Sequence, residues 1–366
     1  MKIERISVIN YKNIAQVELT FSPKMNCFFG NNGMGKTNLL DTLFYLSFCK
    51  SYSNLPDSQL ILHEQDFCVL QGFYSLDGNP EEIYCGMKRK HRKYFKRNKK
   101  TYEKLSDHIS LLPLVMVSPA DSDLIQGGSE DRRKFVDMVI SQYDREYLQH
   151  LIAYNKALEQ RNALLKTEMP DETLLEIWEE QMVAHGEVVY GKRKEFLSKF
   201  LPIFKEFYQF ICQDGEQVNM EYDSQLHHAS LTDLLTQKRE RDKLLGYSTQ
   251  GIHKDDFSFL LGDYLMKKIG SQGQNKTYLI ALKLAQFDFL VKAGTTLPIL
   301  LLDDIFDKLD AQRVEQIIKL VSGDKFGQIF ITDTNRKYLD EILRKMNHDY
   351  KLFFVEQGNI NELKEK

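Results

Sequence analysis

The run Gly30-Asn31-Asn32-Gly33-Met34-Gly35-Lys36-Thr37 constrains this chain more than any other feature. It matches the pattern G-x-x-x-x-G-K-[ST], with the apolar stretch Met25–Phe29 before it and leucine-spaced residues after it. Each part of such a loop has a physical task. The glycines permit a tight turn whose main-chain N–H groups converge on a phosphate, and the amides of the following helix start add to that field. Lys36 supplies charge to β- and γ-phosphate oxygens, and the Thr37 hydroxyl is a ligand for Mg²⁺. Strand, loop and helix in this order make a nucleotide site.

Its complement lies far along the chain. Ile299-Leu300-Leu301-Leu302 is an apolar strand that ends in Asp303 and Asp304. An acid leaving a buried strand beside a phosphate loop holds Mg²⁺, which makes Asp303 the metal-side residue. Asp304 then points toward the γ-phosphate, where a carboxylate orients or deprotonates an attacking water. Lys36 and Asp303 are 267 positions apart, so the sheet is completed only after a very large insertion. A GTPase or compact kinase would place its metal acid much sooner.

Composition narrows the class. At 366 residues, 42% hydrophobic and 28% charged, the chain has enough material for a sizeable core and suggests two domains. Net charge is −3, so any basic surface must be local. No apolar run approaches the roughly 20 residues that cross a bilayer, and the N-terminus lacks a signal-peptide core. Membrane insertion and secretion are not expected; a cytoplasmic location is. The five cysteines have no paired spacing, and the adjacent His227 and His228 have no ligand array around them, so a zinc site is not expected.

The first thirty residues read as strands, and Phe67–Leu76 and residues 81–90 as a hairpin joined by Asp77-Gly78-Asn79-Pro80. From Ser129 to about Lys243 the apolar period becomes helical, with a possible break at Pro202. Strand character returns at 257–261 and 264–268, followed by a long helix from about Gly273 to Lys292, the strand 298–302, and alternating helix and strand to the end. The expected fold is α/β: a P-loop head with a mixed sheet built from residues 1–120 and 245–366, and a helical lobe of residues 121–244 inserted into it.

Ser271-Gln272-Gly273-Gln274-Asn275-Lys276 stands at the entrance of that long helix. A serine and a glycine at a helix start present a hydroxyl and free amides, a second anion site. The phosphate loop already occupies one side of a triphosphate, so the physical use of the second site is to grip the γ-phosphate from a second subunit.

With these residues in place the sequence resembles the ATP-binding-cassette class of head ATPases, and within it the RecF family of bacterial recombination and replication-repair proteins. The segments that carry the resemblance span the chain: Tyr11-Lys12-Asn13-Ile14, the loop from Gly30 to Thr37, Ser118-Pro119-Ala120-Asp121, Arg132-Arg133-Lys134-Phe135-Val136-Asp137, Gln160-Arg161-Asn162, Gly251-Ile252-His253-Lys254-Asp255-Asp256, the Ser271 run and residues 301–310. The resemblance implies ATP with Mg²⁺ as ligands, contacts from Lys12, Asn13 and Asn38 as well as the loop, and slow hydrolysis that uses Lys36 and Asp304. It implies Thr37, Asp303 and Gln71 on the metal side, and Ser271, Gln272, Gly273 and Gln274 acting in trans across an ATP-dependent homodimer. Asp310 would communicate across that dimer. Implied partners are double-stranded and gapped DNA together with RecR and RecO, with recombinase loading as the outcome.

Two departures from the wider class point to slow turnover. The position after Asp303 is Asp304 rather than the longer glutamate, and Ile331-Thr332-Asp333-Thr334 lacks the histidine common in transport cassettes.

Residues 88–100 hold nine Lys/Arg and no acid, with Tyr94 and Phe95 interleaved. Lys88, Arg89, Lys90, Arg92, Lys93, Lys96 and Arg97 are therefore candidates for DNA phosphates; the plainer reading is a solvated basic edge strand. The alternatives for the whole chain are a transport ATPase subunit, a chromosome-organising clamp, or a module that holds ATP without hydrolysing it. The middle segment is too short and irregular for the clamp's coiled coil.

Overall fold

The computed structural model describes residues 1–213, 215–307, 309–334, 336–345 and 349–363. Along these the strands are β1 (Lys2–Tyr11), β2 (Ile14–Thr20), β3 (Met25–Phe29), β4 (Phe67–Leu76), β5 (Asn79–Lys88), β6 (Tyr94–Arg97), β7 (Lys100–Thr101), β8 (Leu114–Val117), β9 (Val218–Asp223), β10 (Asp256–Leu261), β11 (Tyr264–Leu265), β12 (Ile299–Asp303), β13 (Ile329–Asp333), β14 (Tyr350–Glu356) and β15 (Asn359–Leu363). The helices are α1 (Lys36–Phe48), α2 (Asp57–Leu60), α3 (Ser122–Gln126), α4 (Ser129–Ser141), α5 (Arg145–Leu165), α6 (Glu172–Cys212), α7 (Leu231–Leu245), α8 (Met266–Ile269), α9 (Gln272–Lys292), α10 (Ala311–Ser322) and α11 (Arg336–Lys345).

The chain divides into two compact units. The first comprises Met1–Asp121, Phe210–Gln213 and Ser271–Lys366, and the second Ser122–Gln209 and Asp214–Gly270. The segment 245–270, expected with the head, belongs to the second unit, because β10 pairs along its length with β9.

In the first unit a sheet runs in the order β15-β14-β3-β13-β12-β8, parallel except at β15. Strands β8, β12 and β13 are buried at every position, the near-continuous apolar pattern of a sheet covered on both faces. A second, antiparallel sheet runs β2-β1-β4-β5-β6-β7. Helix α1 is buried almost all round because it packs against strands of both sheets. The β4–β5 turn is tighter than the sequence suggests: Asp77 and Gly78 alone make it, both with positive φ, and Asn79 and Pro80 already belong to β5. β15, unforeseen, closes the C-terminus against β14.

The second unit packs α4, α5, α7 and most of α6 with the sheet β11-β10-β9. Pro202 does not break α6. A helix-interior proline costs about 3 kcal/mol, but Phe196, Phe200 and Phe204 beside it are buried, each contributing roughly 1.5–3 kcal/mol. Residues 264–268, read as a strand, turn into α8 after only two strand positions. β9 lies inside the segment read as helical.

Two fully buried arginines organise this unit. Arg161 meets Glu179 and Asp242, each at 2.8 Å, and Arg193 meets Asp137 and Asp255, each at 2.9 Å. Arg132 forks onto Asp256 at 2.8 and 3.0 Å. The runs around Arg132, Gln160 and His253 thus act as the internal frame of this unit. Among the described residues, no helix is long and apolar enough to cross a membrane, and no cluster of three or more His, Cys, Asp or Glu is placed to hold a metal ion.

Candidate functional site

The C-terminal ends of β3, β12 and β13 converge, as register dictates: Phe28 pairs with Thr332, and Thr332 with Asp303. Open α/β sheets bind ligands at that edge. The loop after β3 enters α1 through Gly35, whose φ of 112° and whose contact with the Asn13 amide, 2.9 Å from where a Cβ would sit, leave room for no side chain. Lys36 is buried, its Nζ donating to the carbonyls of Gly30 (2.7 Å) and Asn31 (3.1 Å), so its charge sits within the loop.

Thr37 Oγ1 lies 2.8 and 3.0 Å from the two Asp303 carboxylate oxygens. A hydroxyl and a carboxylate on adjoining positions are hard oxygen donors of the kind Mg²⁺ takes, so these residues fit the ion. Thr332 completes the arrangement. Its Oγ1 donates to Asp303 Oδ1 (2.7 Å) and accepts from the Asp304 N–H (3.2 Å), orienting both acids.

Burial pushes the Asp303 carboxyl above its usual range, against the hydrogen bonds from Thr332 and Thr37, with Asp304 adding to the rise. Asp304 is also raised, by burial first, and Lys36 and Lys276 oppose it. Asp304 is held in a left-handed conformation (φ 47°), and Lys276 Nζ donates to its carbonyl at 3.0 Å. Lys276 stands on the first turns of α9, the helix that Ser271 caps. Ser271 Oγ accepts from the Gln274 N–H and the Gln274 side chain accepts from the Ser271 N–H, a reciprocal cap. Ser271 and Gln272 are exposed, and Gly273 and Gln274 are partly so.

The Met34 carbonyl accepts from the Gly358 N–H (2.8 Å) and from Asn13 Nδ2 (3.3 Å), while Asn38 Nδ2 donates to Asn13 Oδ1 (2.8 Å). Asn13 and Asn38 therefore brace the loop. Lys12 is paired with buried Asp41 at 2.6 Å, where the Tyr11 and Ser51 hydroxyls also converge. This pair ties the Lys12 ammonium to α1.

Gln71 lies away from the metal side expected for it. It sits in β4 of the antiparallel sheet, and its amide donates to Glu82 Oε1 at 2.8 Å, so the structure does not join it to Thr37 and Asp303. The strand neighbouring Asp303 on its other side is β8, whose exit is pinned by the Ser118 N–H donating to Asp121 (2.8 Å). Asp121 also pairs with Lys283 at 2.8 Å and accepts from the Tyr52 hydroxyl. Asp310 caps α10, accepting from the Arg313 N–H at 2.9 Å; its neighbour Lys308 is outside the described residues.

The basic hairpin divides in two. Arg89 donates to the carbonyls of Gln65 and Ser58, Lys93 to Cys49 O and Asp57, and Arg97 forks onto Glu81. Arg89 and Lys93 thus tie this segment to residues around α1 and α2, and Arg97 pairs within the sheet, so all three charges have partners inside the protein. Lys88, Lys90, Arg92, Lys99 and Lys100 are exposed, and Lys96 is half-buried.

A P-loop at the centre of a parallel sheet, an acid pair two strands away, an added antiparallel sheet and an inserted helical unit define an ATP-binding-cassette-type head of the SMC-like kind. The chain belongs to the RecF/RecN/SMC N terminal domain family, which matches it over residues 2–361. Within that family it stands with the RecF proteins. It is 66% identical to the DNA replication and repair protein RecF of Bacteroides fragilis (strain YCH46), covering all of both chains. It is equally 66% identical to that of Bacteroides thetaiotaomicron, over 99% of each. It also matches the solved recombination mediator protein RecF-ATP of the RecFOR pathway at 28% identity and a TM-score of 0.88, covering 99% of this chain and 98% of that one.

Proposed function

We propose that this chain is an ATP-dependent DNA-binding protein of replication and recombinational repair, working in the bacterial cytoplasm as a homodimer closed head to head around two nucleotides. The single observation that carries the reading is the meeting of Thr37 with Asp303 beside Lys36, residues from opposite ends of the chain assembled at one sheet edge. The RecF proteins with which it shares two thirds of its sequence support the repair role.

The loop amides and Lys36 bind the β- and γ-phosphates. Thr37 and Asp303 would hold Mg²⁺, which when bound supplies positive charge against the phosphate oxygens. Asp304, its carboxyl raised by burial, accepts a proton from water more readily than an ordinary aspartate and orients that water. Exposed Ser271 and the amides of the α9 start grip the γ-phosphate bound to the other copy. Hydrolysis is slow and resets the dimer. The closed dimer binds duplex DNA at single-strand gaps and works with RecR and RecO in loading recombinase.

The test is a gel shift on gapped duplex with and without ATP and Mg²⁺. Wild type is retarded only with ATP, and Lys36→Ala is not retarded under either condition. Equal, ATP-independent retardation of both would refute the gating.

A further inference from the structure

Asp304 makes its turn in a conformation that residues with a Cβ seldom adopt: its φ is 47°, in the left-handed region. Such a conformation persists only where the surroundings over-determine it, and it gathers at sites where a side chain must be aimed. Here the restraints can be named. The Asp304 N–H donates to Thr332 twice, to the carbonyl and to Oγ1, each at 3.2 Å. The next two residues, Ile305 and Phe306, are buried. The Asp304 carbonyl accepts from Lys276 Nζ at 3.0 Å.

Two features set that last bond apart. It is made to the main chain, so it fixes the backbone that aims the carboxylate without using the carboxylate's own oxygens. It also starts from α9, where Lys276 stands five positions beyond Ser271. The rest of this helix is anchored, with Thr277, Tyr278, Leu279 and Ile280 buried directly after the lysine. Its start is open, with Ser271 and Gln272 exposed. Thr277 Oγ1 donates back to the Gly273 carbonyl at 2.9 Å, and the Ser271–Gln274 cap closes the first turn. Ser271 and Lys276 therefore stand on one braced piece of helix, separated along its axis by about 7–8 Å.

We propose that Lys276 is a positioning residue for ATP hydrolysis: by holding the Asp304 carbonyl, it ties the acid of its own nucleotide site to the helix start that meets the other copy's γ-phosphate. The inference rests on the reading above and adds to it a route by which closure of the dimer reaches the acid. A γ-phosphate gripped at Ser271 fixes the first turns of α9, and Lys276 fixes the Asp304 turn with them. The lysine touches neither the water nor the phosphate; it acts through Asp304.

The experiment compares wild type, Lys276→Met, Lys276→Arg and Lys276→Met added to Asp304→Asn, by ATP calorimetry, phosphate release and sedimentation velocity in ATP and Mg²⁺. Lys276→Met is expected to lower kcat about tenfold or more, with KM and the ATP Kd within about twofold of wild type. Its ATP-bound dimer forms and outlasts that of wild type, because turnover dismantles the pair more slowly. Lys276→Arg, which keeps a cationic donor, retains kcat within about threefold. In the Asp304→Asn background the added Lys276→Met costs less than about twofold, since the lysine acts through that acid. Unchanged kcat in Lys276→Met, an equal loss in Lys276→Arg, a full further loss on top of Asp304→Asn, or abolished ATP binding would each overturn the positioning role. A wild type that releases no phosphate would overturn it as well and remove hydrolysis from the proposed function, while ATP-gated retardation of gapped duplex would still stand.

Discussion

The main-chain N–H of Gly358, in the turn between β14 and β15, donates to the carbonyl of Met34 in the phosphate loop at 2.8 Å. A peptide's carbonyl and the next residue's N–H point in opposite directions. Pinning the Met34 carbonyl outward therefore turns the Gly35 N–H into the loop, where an anion can use it. Gly358 has φ 79°, and a Cβ there would lie 2.1 Å from the Asn13 carbonyl oxygen. Gly358→Ala must displace either the turn or Asn13, both of which hold the loop. ATP affinity is expected to fall about tenfold (~1.4 kcal/mol), the scale of one hydrogen bond to a charged group. Calorimetric titration with ATP checks this. An unchanged Kd would show that the turn does not shape the loop.

Arg193 is 2% exposed and neutralises Asp137 and Asp255 while also donating to the Ile252 carbonyl. Arg193→Met leaves two buried or half-buried carboxylates facing each other. Loss of one partner from a buried ion pair typically costs 3–5 kcal/mol. The expected result is an earlier urea transition for the helical unit, with ATP binding in the first unit retained. Urea unfolding followed at Trp178, the one tryptophan, reports on that unit. A transition within 0.5 kcal/mol of wild type, roughly the ordinary range for surface changes, would contradict the structural role.

Stability should fall on mild acidification through His108. Its Nε2 lies 2.6 Å from the Leu46 carbonyl, so that nitrogen carries the proton, and Nδ1 accepts from the Tyr102 hydroxyl. Burial holds this imidazole neutral, with its pKa lowered to about 4. In the unfolded chain it titrates near 6.5. Below pH 6.5 the unfolded state takes up a proton the fold refuses, so stability drops as pH falls from about 6.5 to about 4 and levels off below. The full loss is on the order of 3 kcal/mol. His108→Gln should flatten that part of the curve by about one proton. Denaturant titrations across this pH window measure the slope, and an identical slope in the variant would contradict the assignment.

Some of this protein is readable residue by residue, and the reason is locality. The phosphate loop, the Asp303 strand and the Ser271 cap are contiguous runs whose chemistry needs no distant partner to be recognised. Gln71 had no such run around it, and its real partner, Glu82, is set by hairpin register. Arg89, Lys93 and Arg97 look like free charge in the sequence because Gln65, Asp57 and Glu81 approach them only in the folded protein. Thr332 was visible as a strand-end residue, but its grip on Asp303 and Asp304 exists only because β13 lies between β3 and β12. Gly358 carried no local signal at all; its necessity comes from Asn13 and Met34, at the other end of the chain. β9 was hidden by the long helices around it, and Pro202 was overruled by the phenylalanines beside it.

Sedimentation velocity of Asp304→Asn with ATP and Mg²⁺ tests the ATP-gated dimer most directly. The substitution keeps the site's shape and removes the carboxylate to which the proposed function gives the orientation of water, so on that reading the triphosphate persists between the two copies. A stable dimer at micromolar concentration that dissociates when ATP is replaced by ADP is the expected result. A monomer under both conditions would contradict the account.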